Sequence, residues 1–405
     1  MRIQRTIPPS AAPLDGKSIV TGLAGIFSPQ RYLEKLEDEL RTYFGAKHVF
    51  LASSGKTALT LILNALQSLS PEKREVLIPA YTCFSVPSSI VKAGLTVALC
   101  DIDPSTFDYN YPLLEHAVSE RTLCVISTHL FGIPSDVDRI RALCNNNRAF
   151  IVEDAAQAMG GSRKGKKLGT IGDVGFFSLG RGKNITCGSG GIIVTNSDQI
   201  AQAIRPLHDL LRQQSTAKSV KEFLKVMVMS VFIHPSLYWL PAGLPFLKLG
   251  QTIFFTDFPM AKLSGTQAGI LKNWQKRLDE SNRIRSENAD FFSEVSDLQF
   301  ERHDRRAAPL VRMPVMVENK EERDRIYSEA RKMGLGIGLM YPTPINEIRE
   351  LGGRLNGSVY CSAKQVSERL VTIPTHGLLS SEDKQNILML FRKHRTLSGS
   401  FTPAA

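Results

Sequence analysis

Between about residues 30 and 200 the chain alternates between stretches of helical periodicity and short apolar runs bounded by turn residues. YLEKLEDELRTYFG is followed by HVFLAS, TALTLILNALQSL by EVLIPA, VPSSIVKAG by TVALCDI, LLEHAVSE by LCVISTHL, and DVDRIRALCNNN by FIVEDAA. Short apolar runs flanked by amphipathic helices read as strands buried on both faces. The pattern therefore predicts an α/β fold, a mostly parallel central sheet with helices on both faces. Sheets of this kind bind ligands beyond the C-terminal ends of their strands.

The later part of the chain reads differently. A long polar helix pattern, NWQKRLDESNRIRSENADFFSEV, precedes PLVRMPVMV, ERDRIYSEARKMG, a strand around GIGLMYP and a last helix after Ser381. That order suits a smaller α+β unit. The expected division is an N-terminal extension over 1–29, a large α/β domain over 30–255 and a small domain over 256–405, and 405 residues give each domain room for a core.

Charge narrows the partners. The formal net charge is +11, yet the Lys and Arg residues form no long run and accompany no helix-turn-helix, zinc-finger or RNA-binding signature. Nucleic acid is set aside, and small anionic substrates or an anionic surface remain. The six cysteines are scattered with no metal-ligand spacing, which predicts reduced thiols, a cytoplasmic protein and no metal site. The segment MRIQRTIPPSAAP lacks the apolar core of a secretory signal. Residues 226–247 contain no Asp, Glu, Lys or Arg and are dense in apolar and aromatic side chains, but Pro235, Pro241 and Pro245 would break a spanning helix. With Lys218, Lys221 and Lys225 before it, this segment suits either a subunit interface or peripheral contact at the inner face of a membrane.

Chemistry concentrates in Ile151–Thr195, IVEDAAQAMGGSRKGKKLGTIGDVGFFSLGRGKNITCGSGGIIVT. A buried strand ends in Glu153 and Asp154, and a Gly-rich turn after the strand VGFFSL carries Lys183, 29 residues beyond Asp154. A strand-end acid and a lysine converging on one planar cofactor is the pair that pyridoxal phosphate needs. The lysine forms a Schiff base with the aldehyde, and the carboxylate keeps the pyridine nitrogen protonated so that the ring accepts electrons. SSGKT invites a Walker A reading, but that loop needs glycine where Phe50 stands, and GSGGIIVT completes no dinucleotide fingerprint.

The stretch EDAAQAMGG…GTIGDVGFFSLGRGKNITCGSGGIIVT resembles the core signature of the DegT/StrS family of pyridoxal-phosphate-dependent sugar aminotransferases, which have the fold type I, aspartate-aminotransferase-like architecture. LEDELRTYFGAKHVFLASSGKTAL, VLIPAYTC…AGLTVALCDIDPSTFDYN, ISTHLFGIPSDVDRI, LSGTQAGI and ERLVTIPTHGLLSSEDKQNI extend the likeness in colinear order over roughly residues 30–390. The resemblance implies Lys183 as the Schiff-base lysine and Asp154 as the partner of the pyridine nitrogen. It implies Gln157 beside the ring and its phenolic oxygen, Ser178 on the phosphate, and Gly55 and Lys56 in the phosphate-holding turn at a helix N-terminus. It further implies glutamate as amino donor, a nucleotide-linked or lipid-linked keto-sugar as acceptor, a role in amino-sugar and surface-polysaccharide biosynthesis, and a homodimer.

Four segments depart from the family pattern. Lys56 stands where a threonine follows the phosphate-loop glycine, and Cys83 follows Thr82 where an aromatic stacks on the cofactor, leaving Tyr81 or Phe84 as substitutes. Met260, Ala261 and Lys262 replace Asn-x-Arg, and Met159 replaces a histidine. Lys183 speaks against the sugar-dehydratase branch, in which histidine takes its place. Another pyridoxal phosphate reaction on a sugar, or a catalytically silent scaffold or regulator keeping the fold, remain the alternatives.

Overall fold

The computed structural model describes residues 5–247, 249–250, 252–293, 309–351, 355 and 359–397. Seven strands form the central sheet: β1 (His48–Ala52), β2 (Glu75–Pro79), β3 (Thr96–Cys100), β4 (Thr122–Thr128), β5 (Phe150–Asp154), and, after a short hairpin of β6 (Ser162–Arg163) and β7 (Lys166–Lys167), β8 (Val174–Ser178) and β9 (Gly191–Thr195). Their spatial order is β1-β9-β8-β5-β4-β2-β3. All neighbours from β3 to β8 pair in parallel, and β9 runs antiparallel to β8 and β1. Six strands thus point one way and β9 the other, the mostly parallel sheet that the alternating pattern predicts. Every residue of β4 is buried, as helices on both faces require.

The helices start where short polar side chains can cap them. Asp15 accepts the Ser18 N–H at 2.7 Å ahead of Gly16–Phe27, and Ser54 Oγ accepts the Thr57 N–H at 3.1 Å ahead of Gly55–Leu69. Helix Pro29–Phe44 opens on proline and closes on Gly45 in the left-handed conformation. The first helix and helix Gly265–Ile270 pack glycine to glycine. A Cβ at Gly25 would fall on the Gly265 carbonyl, and one at Gly265 on Pro29 and the Gly25 carbonyl.

Beyond the sheet, β10 (Arg312–Met316) and β11 (Leu370–Pro374) pair antiparallel, with helices Lys320–Met333 and Ser381–Leu397 against them. This unit has its own core, in which Met313, Val315, Ile326, Ile373, Ile387 and Phe391 meet. Residues around GIGLMYP form no continuous strand but a single bridge, Gly338 to Thr372, since Gly336 takes a positive φ of 69° that interrupts the extended run. Leu263, Ala268, Ile270, Trp274 and Leu278, although beyond residue 255, are buried in a core of the sheet unit. The uncharged segment is helical only in part. Helix Thr216–Phe232 stops at Ile233 and a short turn, Trp239–Ala242, follows; among the described residues no helix is long and apolar enough to cross a membrane.

Residues 5–12 strap the two units together. Arg5 pairs with Asp383 at 2.6 Å, Ile7 is buried in the β10–β11 core, and His376 Nε2 lies 2.8 Å from the Pro8 carbonyl. Ser10 Oγ then donates to the Gly182 carbonyl at 2.7 Å, beside Lys183.

Candidate active site

The register of the sheet assembles the site. Gly191, at the start of β9, pairs with Ala52 on one side and Ser178 on the other, and Asp154 pairs with Phe176 on the same edge. The C-terminal ends of β1, β5 and β8 therefore lie in a row. From β1 the chain turns directly into helix Gly55–Leu69, so that the helix N-terminus faces Ser178. A Cβ at Gly55 would come within 3.1 Å of Ser178 Cβ, and one at Gly191 would strike the Ser54 carbonyl, so only glycine lets the turn sit this close. The N–H groups of Gly55 and Lys56 belong to the first helical turn and have no intrahelical acceptor, which favours an anion there.

Asp154 and Glu153 are neighbours on β5 with opposite fates, because successive side chains on a strand point to opposite faces. Glu153 is fully buried and accepts four hydrogen bonds: from Gly169 N–H at 2.8 Å, Ile171 N–H at 2.5 Å, Gly172 N–H at 2.6 Å and His129 Nε2 at 2.9 Å. Burial alone would raise its pKa, but the His129 contact and these N–H groups outweigh that and hold it below the usual carboxylate range. Asp154, also buried, accepts one hydrogen bond, from Ala156 N–H at 3.0 Å. Burial pushes its pKa up, opposed first by the positive charge of Lys183. Lys183 is thus near enough for its charge to act on Asp154.

Lys183 lies in the turn between β8 and β9, which is gripped through its backbone. Arg285 Nη2 donates to the Lys183 carbonyl at 3.3 Å and Ser281 Oγ to the Asn184 carbonyl at 2.8 Å. The Asn184 side chain donates to Asn282 Oδ1 at 3.0 Å. Arg285, wholly buried, also donates to the carbonyls of Ala11 and Val311 at 2.7 and 2.8 Å. Burial, followed by the charge of Arg312, lowers its pKa to about 10. Helix Trp274–Phe291 thereby fixes the lysine's main chain and leaves its side chain free to work.

Gln157 donates to the hydroxyl of Tyr341 at 3.1 Å, a residue that sequence reasoning did not single out and that the chain supplies from beyond β10. The Tyr341 ring stands 6.4 Å from Phe84, nearly parallel at 27°, and 5.7 Å from Tyr81. Burial, then Cys83 and Asp154, push its hydroxyl well above the ordinary value, so it stays protonated. Tyr81 is committed elsewhere, bonded to the main chain of Met340 and Tyr341. Thr82 Oγ1 is buried without a partner.

Lys56 does not reach toward Ser178. Its ammonium lies 3.2 Å from the ring centre of Phe255 and 4.4 Å from that of Phe258, while Lys92 sits 4.7 Å over Phe258. Burial first lowers the Lys56 pKa to about 8, with Lys92 adding to the effect and Cys83 opposing it. Met260 and Lys262 serve the fold: Met260 packs on the main core and Lys262 lies 3.6 Å from Asp209. All six cysteines are free thiols, and among the described residues no group of His, Cys, Asp and Glu is arranged to hold a metal ion.

An open helix N-terminus beside Ser178, and a buried acid that feels the charge of Lys183, thus lie at the C-terminal ends of the parallel strands of an α/β fold. The model of the DegT/DnrJ/EryC1/StrS aminotransferase family matches residues 23–392, and the chain belongs to that family. Among its relatives an uncharacterized protein of Methanocaldococcus jannaschii is 27% identical over 364 residues, 89% of each chain. A GDP-perosamine synthase of Caulobacter vibrioides is 36% identical over 182 residues, covering 45% of this chain and 48% of that protein. The match therefore spans about half the length of that curated enzyme. The fold is that of PseC from Helicobacter pylori, an aminotransferase of pseudoaminic acid biosynthesis, with a TM-score of 0.77 at 19% identity over 96% of this chain and 99% of that one.

Proposed function

We propose that the chain is a pyridoxal-phosphate-dependent aminotransferase that moves the amino group of glutamate to a keto-sugar, nucleotide-linked or lipid-linked, in amino-sugar or surface-polysaccharide biosynthesis. The observation that carries this reading is the approach of Lys183 to Asp154 at a strand-end row that also bears a helix N-terminus. The residues fit the cofactor. Gly55, the Lys56 N–H and Ser178 would hold its phosphate, Asp154 its pyridine nitrogen, Gln157 its phenolic side, and Lys183 its aldehyde. The unpartnered Thr82 hydroxyl and the helix N-terminal N–H groups beside Ser178 suit a bound group there. When bound, pyridoxal phosphate supplies an electron sink that makes the α-proton of an amino acid removable.

The chain's own residues do the rest. The Lys183 amine would serve as general base for that proton and as general acid for its 1,3-shift to the carbon that came from the cofactor's aldehyde, and its fixed main chain would keep the amine within reach of both positions. Asp154 holds a negative charge where burial disfavours it, so it binds a protonated partner strongly. The Tyr341 hydroxyl, kept protonated, accepts from Gln157 and orients its amide. We also carry forward a cytoplasmic homodimer and a division into a large and a small domain as parts of this proposal, with Leu263, Ala268, Ile270, Trp274 and Leu278 packed in the core of the sheet unit.

Purified protein reconstituted with pyridoxal phosphate is expected to release 2-oxoglutarate from glutamate with loss of the cofactor's visible band. It should then form an amino-sugar from one member of a panel of nucleotide- and lipid-linked keto-sugars. Absence of cofactor binding, or turnover unchanged in Lys183→Ala, overturns the reading.

A further inference from the structure

Among the described residues, twelve of the twenty exposed large hydrophobic side chains fall between Val220 and Phe255. Helix Thr216–Phe232 is amphipathic in an unusual sense, with apolar residues on both faces. Its inner face is spoken for: a Cβ at Gly22 would meet Phe223, and one at Gly188 would meet Val226, so the helix is clamped to the body of the protein. Its outer face presents Val220, Leu224, Val228 and Val231, which are 39%, 54%, 57% and 55% exposed and follow one another at intervals of three and four residues. The first helix packs beside it and turns out Val20, Leu23 and Phe27, at 68%, 47% and 80%. Phe246, in the short turn Pro245–Leu247, is also 73% exposed. An apolar surface of this continuity is rare on a protein that meets only water.

The charges around the patch select its occupant. No acidic residue occurs between Glu222 and Asp257, and Glu222 is itself paired with Lys225 at 2.8 Å. Lys218 and Lys221 stand exposed on either side of Val220, at the start of the apolar stripe, and Lys17 lies in the first turn of the first helix. Apolar and aromatic side chains bordered by lysines, with Glu222 paired to Lys225 and Asp15 capping the first helix beside Lys17, match a surface that is greasy within and negative at its rim.

We propose that this face docks on an anionic lipid surface, the two helices lying flat with Leu224, Val228 and Phe27 among the acyl chains and Lys218 and Lys221 at the headgroups. The helix is too short and the segment too interrupted by proline to cross the bilayer, so the attachment is peripheral and reversible. The proposal does not depend on the transaminase reading, and its test uses no turnover.

The test is co-sedimentation of the cofactor-reconstituted full chain with vesicles of phosphatidylcholine alone or of phosphatidylcholine with phosphatidylglycerol. Binding is expected to the anionic vesicles, weakened by salt and lost on neutral ones. Leu224→Glu with Val228→Glu, both surface changes, should weaken binding about tenfold or more, and Lys218→Gln with Lys221→Gln should remove most of the salt dependence. Far-UV circular dichroism and sedimentation velocity of each variant control for folding and assembly. No pelleting with either vesicle overturns the proposal. So does a Leu224→Glu/Val228→Glu protein that changes oligomeric state while binding vesicles as wild type does, since the face would then be a contact between copies.

Discussion

Glu153 and Asp154 are adjacent acids on one strand, and the structure predicts opposite phenotypes for removing their charges. In Glu153→Gln one oxygen becomes an NH2 group. If the remaining oxygen keeps the Ile171 and Gly172 N–H groups, the new amide nitrogen faces Gly169 N–H and His129 Nε2. His129 cannot adapt, because its Nδ1 accepts the Ser135 N–H at 3.1 Å and the neutral ring must then carry its proton on Nε2. Two buried donors lose their acceptor, at about 1–3 kcal/mol each, so the variant should be about 2–6 kcal/mol less stable. In Asp154→Asn the single bond from Ala156 N–H survives and a charge that burial disfavours disappears, so the cofactor-free variant should be as stable as wild type or more so. Its turnover should nevertheless fall roughly 10²–10³-fold, the effect of removing one electrostatic contact at a reacting centre. Urea unfolding followed by far-UV circular dichroism measures the first pair of effects and 2-oxoglutarate release the last. The pH dependence adds a check of sign. Glu153, with a lowered native pKa, stabilises the fold above its ordinary value of 4.5 and loses that stabilisation as pH falls below it, so the Glu153→Gln penalty should shrink in acid. A Glu153→Gln protein within about 0.5 kcal/mol of wild type, the range of an inconsequential surface change, would refute this account of the two faces. An Asp154→Asn protein destabilised as much would do the same.

Three further outcomes follow from the geometry. Lys56→Met removes an ammonium that burial makes costly to keep charged. The variant should be as stable as wild type or more so at neutral pH, and its advantage should fade as pH rises through about 8 toward 10.5, readable from thermal unfolding across that range. Tyr341→Phe deletes the acceptor of Gln157 and should lower kcat and, by leaving that buried amide unpaired, cost about 1–3 kcal/mol in urea unfolding; a loss confined to KM would place Tyr341 on the substrate instead. Gly265→Ala forces a methyl group onto Pro29 and the Gly25 carbonyl and should cost about 1–3 kcal/mol in urea unfolding, whereas Gly16→Ala, with open space around it, should not.

Much of this was legible before any coordinates. The period of the apolar runs predicts the parallel sheet because burial on both faces leaves strands no other composition, and Asp154 and Lys183 declare themselves because a strand end and a Gly-rich turn are where such groups converge. Tyr341 and Arg285 were not legible. Each comes from far along the chain, and a tyrosine in a proline-rich turn or an arginine on a polar helix carries no local signal of burial. The direction of Lys56 was equally hidden: its place in the phosphate turn suggested an anion, and only packing reveals that Phe255 and Phe258 take its ammonium. Strand patterning misjudged GIGLMYP because a positive φ at Gly336 leaves no trace in hydrophobic periodicity.

The strap over residues 5–12 bears on how the protein is made. Arg5 meets Asp383 across 378 positions, and the carbonyls of Ala11 and Lys183 share the guanidinium of Arg285. On the ribosome the sheet strands and Lys183 emerge early, but the residues that grip the lysine turn, Ser281, Asn282 and Arg285, arrive about a hundred positions later. The turn is held only once helix Trp274–Phe291 has left the exit tunnel. Synthesis thus yields a formed sheet first and a held amine later, so a nascent chain halted before residue 281 should carry the lysine with its turn ungripped.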